Sequence, residues 1–420
     1  MDITLMKRNV KIFCLIVIAC NLSLLGFART KHAAASPEWL GTWATSQQIP
    51  EPHNSLDPND LQDATLRQII HLSVGGNMLR VHLSNAFGIA PLHLTSVHIA
   101  KPLSPAAAKI DPATDKALTF AGSGDVTIPA GAQYISDPIA YPVAALSNLA
   151  ITIHMETPPL QQTGHPGSRA TSYLAHGDLV SAVDLPAAKT MEHWYWISGV
   201  DVNAPARAAA VVVLGDSITD GHATTTNGND RWTDVLAERL QASPSTRMIS
   251  VLNQGLGGNR LLLDGLGPNA VSRIDRDILA QPGVKYAIVL EGVNDLGVAG
   301  RTPNMPQSVH DALVHQMIGA YEQIVLRAHE HGIKVFGATI LPYGGSFYDH
   351  PGEQADWQAV NDWIRAPGHF DAVIDFAKTM ANPAHPNALL PAYDSGDHLH
   401  PGPAGYRAMG GAVPLSLFKK

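Results

Sequence analysis

Gly215-Asp216-Ser217-Ile218-Thr219-Asp220-Gly221 follows directly on the apolar run Ala208 to Leu214. Val211, Val212, Val213 and Leu214 have the pattern of a strand buried on both faces, and the Gly-Asp pair ends it in a tight turn that presents Ser217. A serine hydroxyl is a weak nucleophile at neutral pH and needs a base within hydrogen-bond reach. Far downstream, Asp397-His398-Leu399-His400-Pro401 offers an acid and a base three positions apart, a spacing that one turn can hold. Between them lie Asn253-Gln254-Gly255-Leu256-Gly257-Gly258-Asn259 and Glu291-Gly292-Val293-Asn294-Asp295, each directly after an apolar strand-like run. Singly, each segment has a plainer reading: Ser217 caps a helix, Asn294-Asp295 turns a strand end, and Gly258 permits positive φ in a loop. Jointly they can converge on one site.

In this order the chain resembles the GDSL, or SGNH, family of serine esterases. The four family blocks fall on Ser217, Gly258, Asn294 and His400, with Asp397 in the D-x-x-H spacing. In the second block the family glycine stands five residues after the asparagine, which selects Gly258 over Gly255 and Gly257. The resemblance runs from about Ala208 to the C-terminus. It implies a Ser217 nucleophile, a His400 base and an orienting Asp397, with no cofactor and no metal. The oxyanion would be held by the backbone N–H groups of Ser217 and Gly258 and the amide of Asn294, a kind of donor whose loss typically costs about 3 kcal/mol.

Two competing chemistries fit these residues less well. Asp397, His398 and His400 could ligate a metal, but no second cluster of ligand spacing stands out. His398 has Ser395 three positions before it, so His400 is the better base. The α/β-hydrolase elbow needs G-x-S-x-G, which the chain lacks.

Lys7, Arg8 and Lys11 precede a mainly apolar stretch from Ile12 to Phe27, and small residues follow at Ala28 and Ala33-Ala34-Ala35, the pattern of a cleaved secretory signal over residues 1–35. A secreted or periplasmic chain is expected. Asn21 and Ser23 interrupt a run already short for a span of about 20 apolar residues, so no stable membrane span is expected in the mature chain. A lipid anchor at Cys20 is the alternative, disfavoured because the apolar run continues past it. Both cysteines, Cys14 and Cys20, lie in this segment, leaving the mature chain without disulfides. The segment carries a net charge of +4, so its removal takes the formal charge from −8 to −12. An acidic surface without basic runs argues against nucleic acid as a partner; oligomeric state is left open.

Residues 36–206 show short alternating segments separated by turn residues, from which a β-sandwich or jelly-roll-like domain is expected. Ile69 to Val74, Gly75-Gly76-Asn77 and Met78 to Leu83 read as a hairpin, with further strands at Leu92 to Ile99, Asp125 to Ile128, Leu149 to Met155 and Trp194 to Val202. Residues 207–420 change rhythm to strands alternating with amphipathic helices. Strands are expected at Ala208 to Leu214, Met248 to Leu252, Tyr286 to Leu290, Val335 to Ile340 and Val373 to Phe376, a five-stranded parallel sheet in a three-layer α/β/α domain. Trp232, Val235, Leu236 and Leu240 mark one helical face, and Val309, Leu313, Met317, Ala320 and Ile324 another that Gly332 ends.

The expected function is a secreted carboxylic-ester hydrolase acting on a small-molecule or polysaccharide ester. Members of the resembling family act on acetylated polysaccharides, lipids, aryl esters and thioesters. Export, the extra β domain and the aromatic residues Tyr343, Phe347, Tyr348 and Trp357 favour a short acyl group such as acetyl, although those aromatics could equally be packing. The alternative is a carbohydrate-binding or wall-associated protein with secondary esterase or acyltransferase activity.

Overall fold

The five apolar runs of the C-terminal half lie side by side in one parallel sheet, in the order Ile249–Gly255, Ala209–Gly215, Val284–Leu290, Lys334–Ala338, Ala372–Ile374. Every residue of Ala209–Gly215 is buried, as an aliphatic run covered on both faces requires. The helix Trp232–Ala242 packs beside Pro403–Ala412, and Gln307–Glu330 beside Glu353–Arg365, which completes an α/β/α arrangement. Trp232, Val235, Leu236 and Leu240 are buried as the periodicity requires. In the longer helix Met317, Ala320 and Ile324 are buried, but Val309 is 47% exposed, so the apolar stripe begins later than expected. Gly332, at φ +68°, ends that helix, with the amides of Gly332 and Ile333 returning to the carbonyls of His329 and Ala328.

The structure, a computed structural model, describes residues 38–302 and 304–419; the expected leader at 1–35, with Cys14 and Cys20, lies outside them. The N-terminal region is built of antiparallel strands. One sheet contains Glu38–Ala44, Ile197–Ala204, Gly76–Ser84, Gln133–Ile135 and Ile139–Val143, and another has Ala64–Leu72 and Ser147–Met155 at its centre. The hairpin expected around Gly75 does not form. Ala64–Leu72 pairs with Ser147–Met155 in one sheet, whereas Gly76–Ser84 pairs with Ile197–Ala204 in the other. The glycines there carry the chain between sheets: a Cβ on Gly75 would come 2.5 Å from the carbonyl oxygen of Val143. Leu92 to Ile99 likewise splits between sheets, into Leu92–Leu94 and Ser96–Pro102, and the run at Trp194 breaks at Trp196, whose φ is +56°.

From Trp39 onward the described residues form one compact unit. A continuous apolar cluster runs from Leu40 through Leu66, Leu79 and Val81 of the β region to Val212, Leu252 and Phe418. The strand Glu38–Ala44 meets the edge of the parallel sheet so closely that a Cβ on Gly41 would lie 2.8 Å from Leu252 Cδ1. Ser73 Oγ accepts the amide of Val251 at 3.1 Å. No described helix is long and apolar enough to cross a membrane.

Candidate active site

Ser217, in the short helix Ser217–Asp220, lies just past the carboxyl end of the strand Ala209–Gly215, where ligands of open parallel sheets bind. Asp216 caps the turn by accepting the amide of Ile218 at 2.9 Å. Gly215 and Gly255 pair in register at the ends of their strands, and a Cβ on Gly255 would overlap the backbone of Thr219 and Asp220. Only a glycine lets the second strand end pass beneath the serine turn.

Ser217 Oγ lies 2.8 Å from His400 Nε2, and His400 Nδ1 lies 2.6 Å from Asp397 Oδ2. The D-x-x-H spacing has a local reason. Asp397 Oδ1 accepts the amides of Leu399 and His400 at 2.9 and 2.8 Å, so one carboxylate shapes the turn while its other oxygen holds the imidazole. Partial burial pushes the Asp397 carboxyl up, but the His400 ring and these two amides outweigh it and hold it well below the usual range. His398 is exposed and turned elsewhere: its Nδ1 lies 2.6 Å from Asp394, a carboxylate four positions before it that the three-residue spacing rule overlooked.

Asn294 and Asp295 begin the helix Val293–Ala299 and grip the loop that carries Gly258. Asn294 Nδ2 donates to Asn259 O at 2.8 Å, and the Asp295 oxygens accept the amides of Leu261 and Leu262 at 2.8 and 3.1 Å. Gly258 has φ +67°, a conformation that favours glycine. Among the described residues, neither the Ser217 nor the Gly258 amide has an acceptor.

Beneath the site runs a buried polar network that the sequence did not disclose. The Arg273 guanidinium, 2% exposed as a residue, donates to the carbonyls of Gly215 and Gln254 at 2.9 and 2.7 Å and to Glu291 Oε1 at 3.1 Å, tying three strand ends together. Asn259 Oδ1 and Asp277 Oδ2 accept from it too, and Ser46 of the β region donates to Asp277 at 2.6 Å. Burial, then the carboxyls of Asp216 and Asp295, raise Glu291 well above the ordinary carboxylate range despite Arg273. Asp277, although buried, is held down by Arg276 and Arg273. Burial also raises Asp295 to about 6. An arginine inside a short, otherwise ordinary helix gives no signal in sequence that its side chain points inward.

A loop of the β region reaches the same turn. His165 Nε2 lies 2.9 Å from Asp220 Oδ1, and a Cβ on Gly167 would overlap that carboxylate. Arg231 donates to the carbonyls of Ser168 and Asp220. Arg169 Nη2 lies 3.0 Å from His222 Nδ1, and the His222 ring sits 4.1 Å from that of His400. His222 is an exposed residue whose ring is only partly desolvated; that desolvation, then His400 and Arg169, lower its imidazole to about 4. His222, Asp397 and His400 offer donor atoms within 4.8 Å of one another, a set that the spacing of Asp397, His398 and His400 had placed differently. Of the four aromatics that favour a short acyl group or else serve as packing, only Phe347 is exposed, at 54%. Tyr343, Tyr348 and Trp357 are buried, and Trp357 stands in a helix, donating to the carbonyls of Ile340 and Leu341.

Comparison with known proteins bears on the C-terminal region as a whole. Residues 213–408 match the model of the GDSL-like lipase/acylhydrolase family. Similar solved structures include a protein of the G-D-S-L family from Desulfitobacterium hafniense, 24% identical, covering 49% of this chain and 97% of that one at a TM-score of 0.37. Another is the aryl esterase of M. smegmatis, 18% identical over 50% of this chain and 99% of that one at a TM-score of 0.38. A third is an acetyl xylan esterase, 18% identical over 48% and 96% at a TM-score of 0.36. No curated protein matches at a significant level. In residues 213–408 the chain carries a domain of the GDSL-like lipase/acylhydrolase family.

Proposed function

We propose that the chain is a serine esterase that hydrolyses short-acyl carboxylic esters, acetyl esters of carbohydrates foremost. The observation that carries this reading is the unbroken chain from Ser217 Oγ through His400 to Asp397, at 2.8 and 2.6 Å. Ser217 Oγ attacks the ester carbonyl as His400 Nε2 takes its proton, which then passes to the leaving alcohol. Water, activated by the same imidazole, attacks the acyl-enzyme, and His400 returns the proton to Ser217. Asp397 keeps Nδ1 protonated and stabilises the imidazolium. The amides of Ser217 and Gly258 and the side chain of Asn294 receive the oxyanion. Exposed Phe347 offers an apolar face to the alcohol group beside Asn294's neighbour Tyr348, with the Arg301 guanidinium 5.9 Å from its ring. The expected leader makes the enzyme an exported one.

Ser217→Ala is expected to lower turnover of p-nitrophenyl acetate by several orders of magnitude while leaving Tm nearly unchanged. Wild-type turnover in that variant would end the serine-esterase reading. A rate series over p-nitrophenyl esters of increasing acyl length, set beside acetate release from acetylated xylan, tests the substrate class, and products formed with an acceptor sugar test acyl transfer.

The His222, Asp397 and His400 donors support a second reading, a divalent cation bound in place of the Ser217–His400 hydrogen bond. Activity that survives exhaustive chelation excludes it; loss restored by zinc establishes it.

A further inference from the structure

Tyr348 stands on the loop between the strand Lys334–Ala338 and the helix Glu353–Arg365, and it is 7% exposed. Its hydroxyl lies 3.0 Å from Asn294 Oδ1. The orientation of that amide follows from its other neighbour. The Asn259 carbonyl can only accept, so the Asn294 atom 2.8 Å away is the NH2 group, and the atom facing Tyr348 is the oxygen. The tyrosine therefore donates, and burial, which raises its hydroxyl above the ordinary range, keeps that proton in place. One Asn294 N–H is engaged by Asn259, and the second has no acceptor among the described residues.

The ring has a seat made for it. A Cβ on Gly297, one turn along the helix that carries Asn294, would overlap the Tyr348 ring. Phe347 covers the ring at 4.5 Å between centroids, and the Arg301 guanidinium lies 5.2 Å from its centre. The loop behind is fastened by Gly344 N to Asn387 O at 2.6 Å and by Tyr348 N to Ser346 Oγ at 3.1 Å.

We infer that Tyr348, seated on Gly297, is a positioning residue of the oxyanion site: its hydroxyl locks the Asn294 amide so that the free Nδ2–H is presented to the developing negative charge. This rests on the serine-esterase reading. A preorganised donor gains its effect by needing no reorientation as the reaction proceeds. An amide held at both ends meets that condition, whereas one held by Asn259 alone leaves a buried oxygen without a partner.

The test is steady-state hydrolysis of p-nitrophenyl acetate by wild type, Tyr348→Phe, Asn294→Ala and the double variant. Tyr348→Phe keeps the ring and is expected to lower kcat about tenfold, the size of one neutral hydrogen bond, with KM within about twofold and Tm lowered by only a few degrees for the Asn294 oxygen left without a partner. In the Asn294→Ala background the same substitution is expected to cost nothing further, because its route is gone. Gly297→Ala, which displaces the ring, is expected to reproduce the loss of kcat without adding to that of Tyr348→Phe. An unchanged kcat in Tyr348→Phe overturns the inference, as does an undiminished loss in the Asn294→Ala background, which would put Tyr348 directly on the substrate. An inactive wild type, or an active Ser217→Ala, overturns the esterase reading and this inference with it. Activity abolished by Ser217→Ala but untouched by Tyr348→Phe overturns this inference alone.

Discussion

Asn294 and His222 carry the sharpest expectations at the scale of single residues. The Asn294 amide has one N–H bond unengaged, and in the proposed mechanism it would act only once charge develops on the carbonyl oxygen. Asn294→Ala is expected to lower kcat about a hundredfold with little change in KM, and a change confined to KM would place the residue in ground-state binding. His222 is held down to about 4 in the folded chain, against about 6.5 unfolded. Between those values the unfolded chain binds the proton and the folded one does not. Stability therefore rises with pH from about 4 to about 6.5, is fully present above that window, and is lost as pH falls through it. Thermal melts from pH 4 to 7 should show a shallower rise in Tm for His222→Gln than for wild type; parallel curves would contradict this assignment.

At the scale of elements, the site depends on strand ends that touch. Gly215, Gln254 and Glu291 end or follow three adjacent strands, and the single Arg273 guanidinium holds all three. Arg273→Met removes one partner from a buried ionic network and leaves Asp277 with less compensation. The expected loss of stability is about 3–5 kcal/mol in urea unfolding, and a loss below about 1 kcal/mol would show that the clamp is dispensable. Gly255→Ala forces a methyl group into the Thr219–Asp220 backbone, so it should disturb the serine turn itself. Here kcat should fall together with stability, by about 1–3 kcal/mol in the latter.

For the whole molecule, the contacts of the β region with the serine turn and the core shared across the two regions argue that the β region is an integral part of the fold. Ser46, His165, Gly167, Ser168 and Arg169 all reach the C-terminal half, and the passage between regions is the short turn closed by Ala208 N on Pro205 O at 2.8 Å. Residues from about Ala204 to Lys420 expressed alone should be insoluble, or inactive on p-nitrophenyl acetate. A soluble fragment with full turnover and weakened polysaccharide binding would instead make the β region a separable module.

Local pattern carried much of this protein into view. The aliphatic run before Ser217, the D-x-x-H spacing and the strand–helix alternation are short-range properties, because burial on both faces, a turn held by Asp397 and a helical stripe each involve neighbours in sequence. The parallel sheet and the residues to inspect were therefore legible. Partner choice was not. Gly75 to Asn77 had the composition of a hairpin turn, but the strands on either side of it found their hydrogen bonds with Ser147–Met155 and Ile197–Ala204, far along the chain. Arg273 and His222 were likewise invisible as site residues, and Tyr348 stood out only as one of four aromatics and not as a partner of Asn294, since an arginine on a short helix, a histidine in a turn and a tyrosine in a loop look alike whether they face solvent or a strand end. Their roles arise from convergence of distant segments: Arg273 on three strand ends, Arg169 on His222, Tyr348 on Asn294. Sequence periodicity reports which face of an element is buried; what that face meets is decided by the packing of the whole chain.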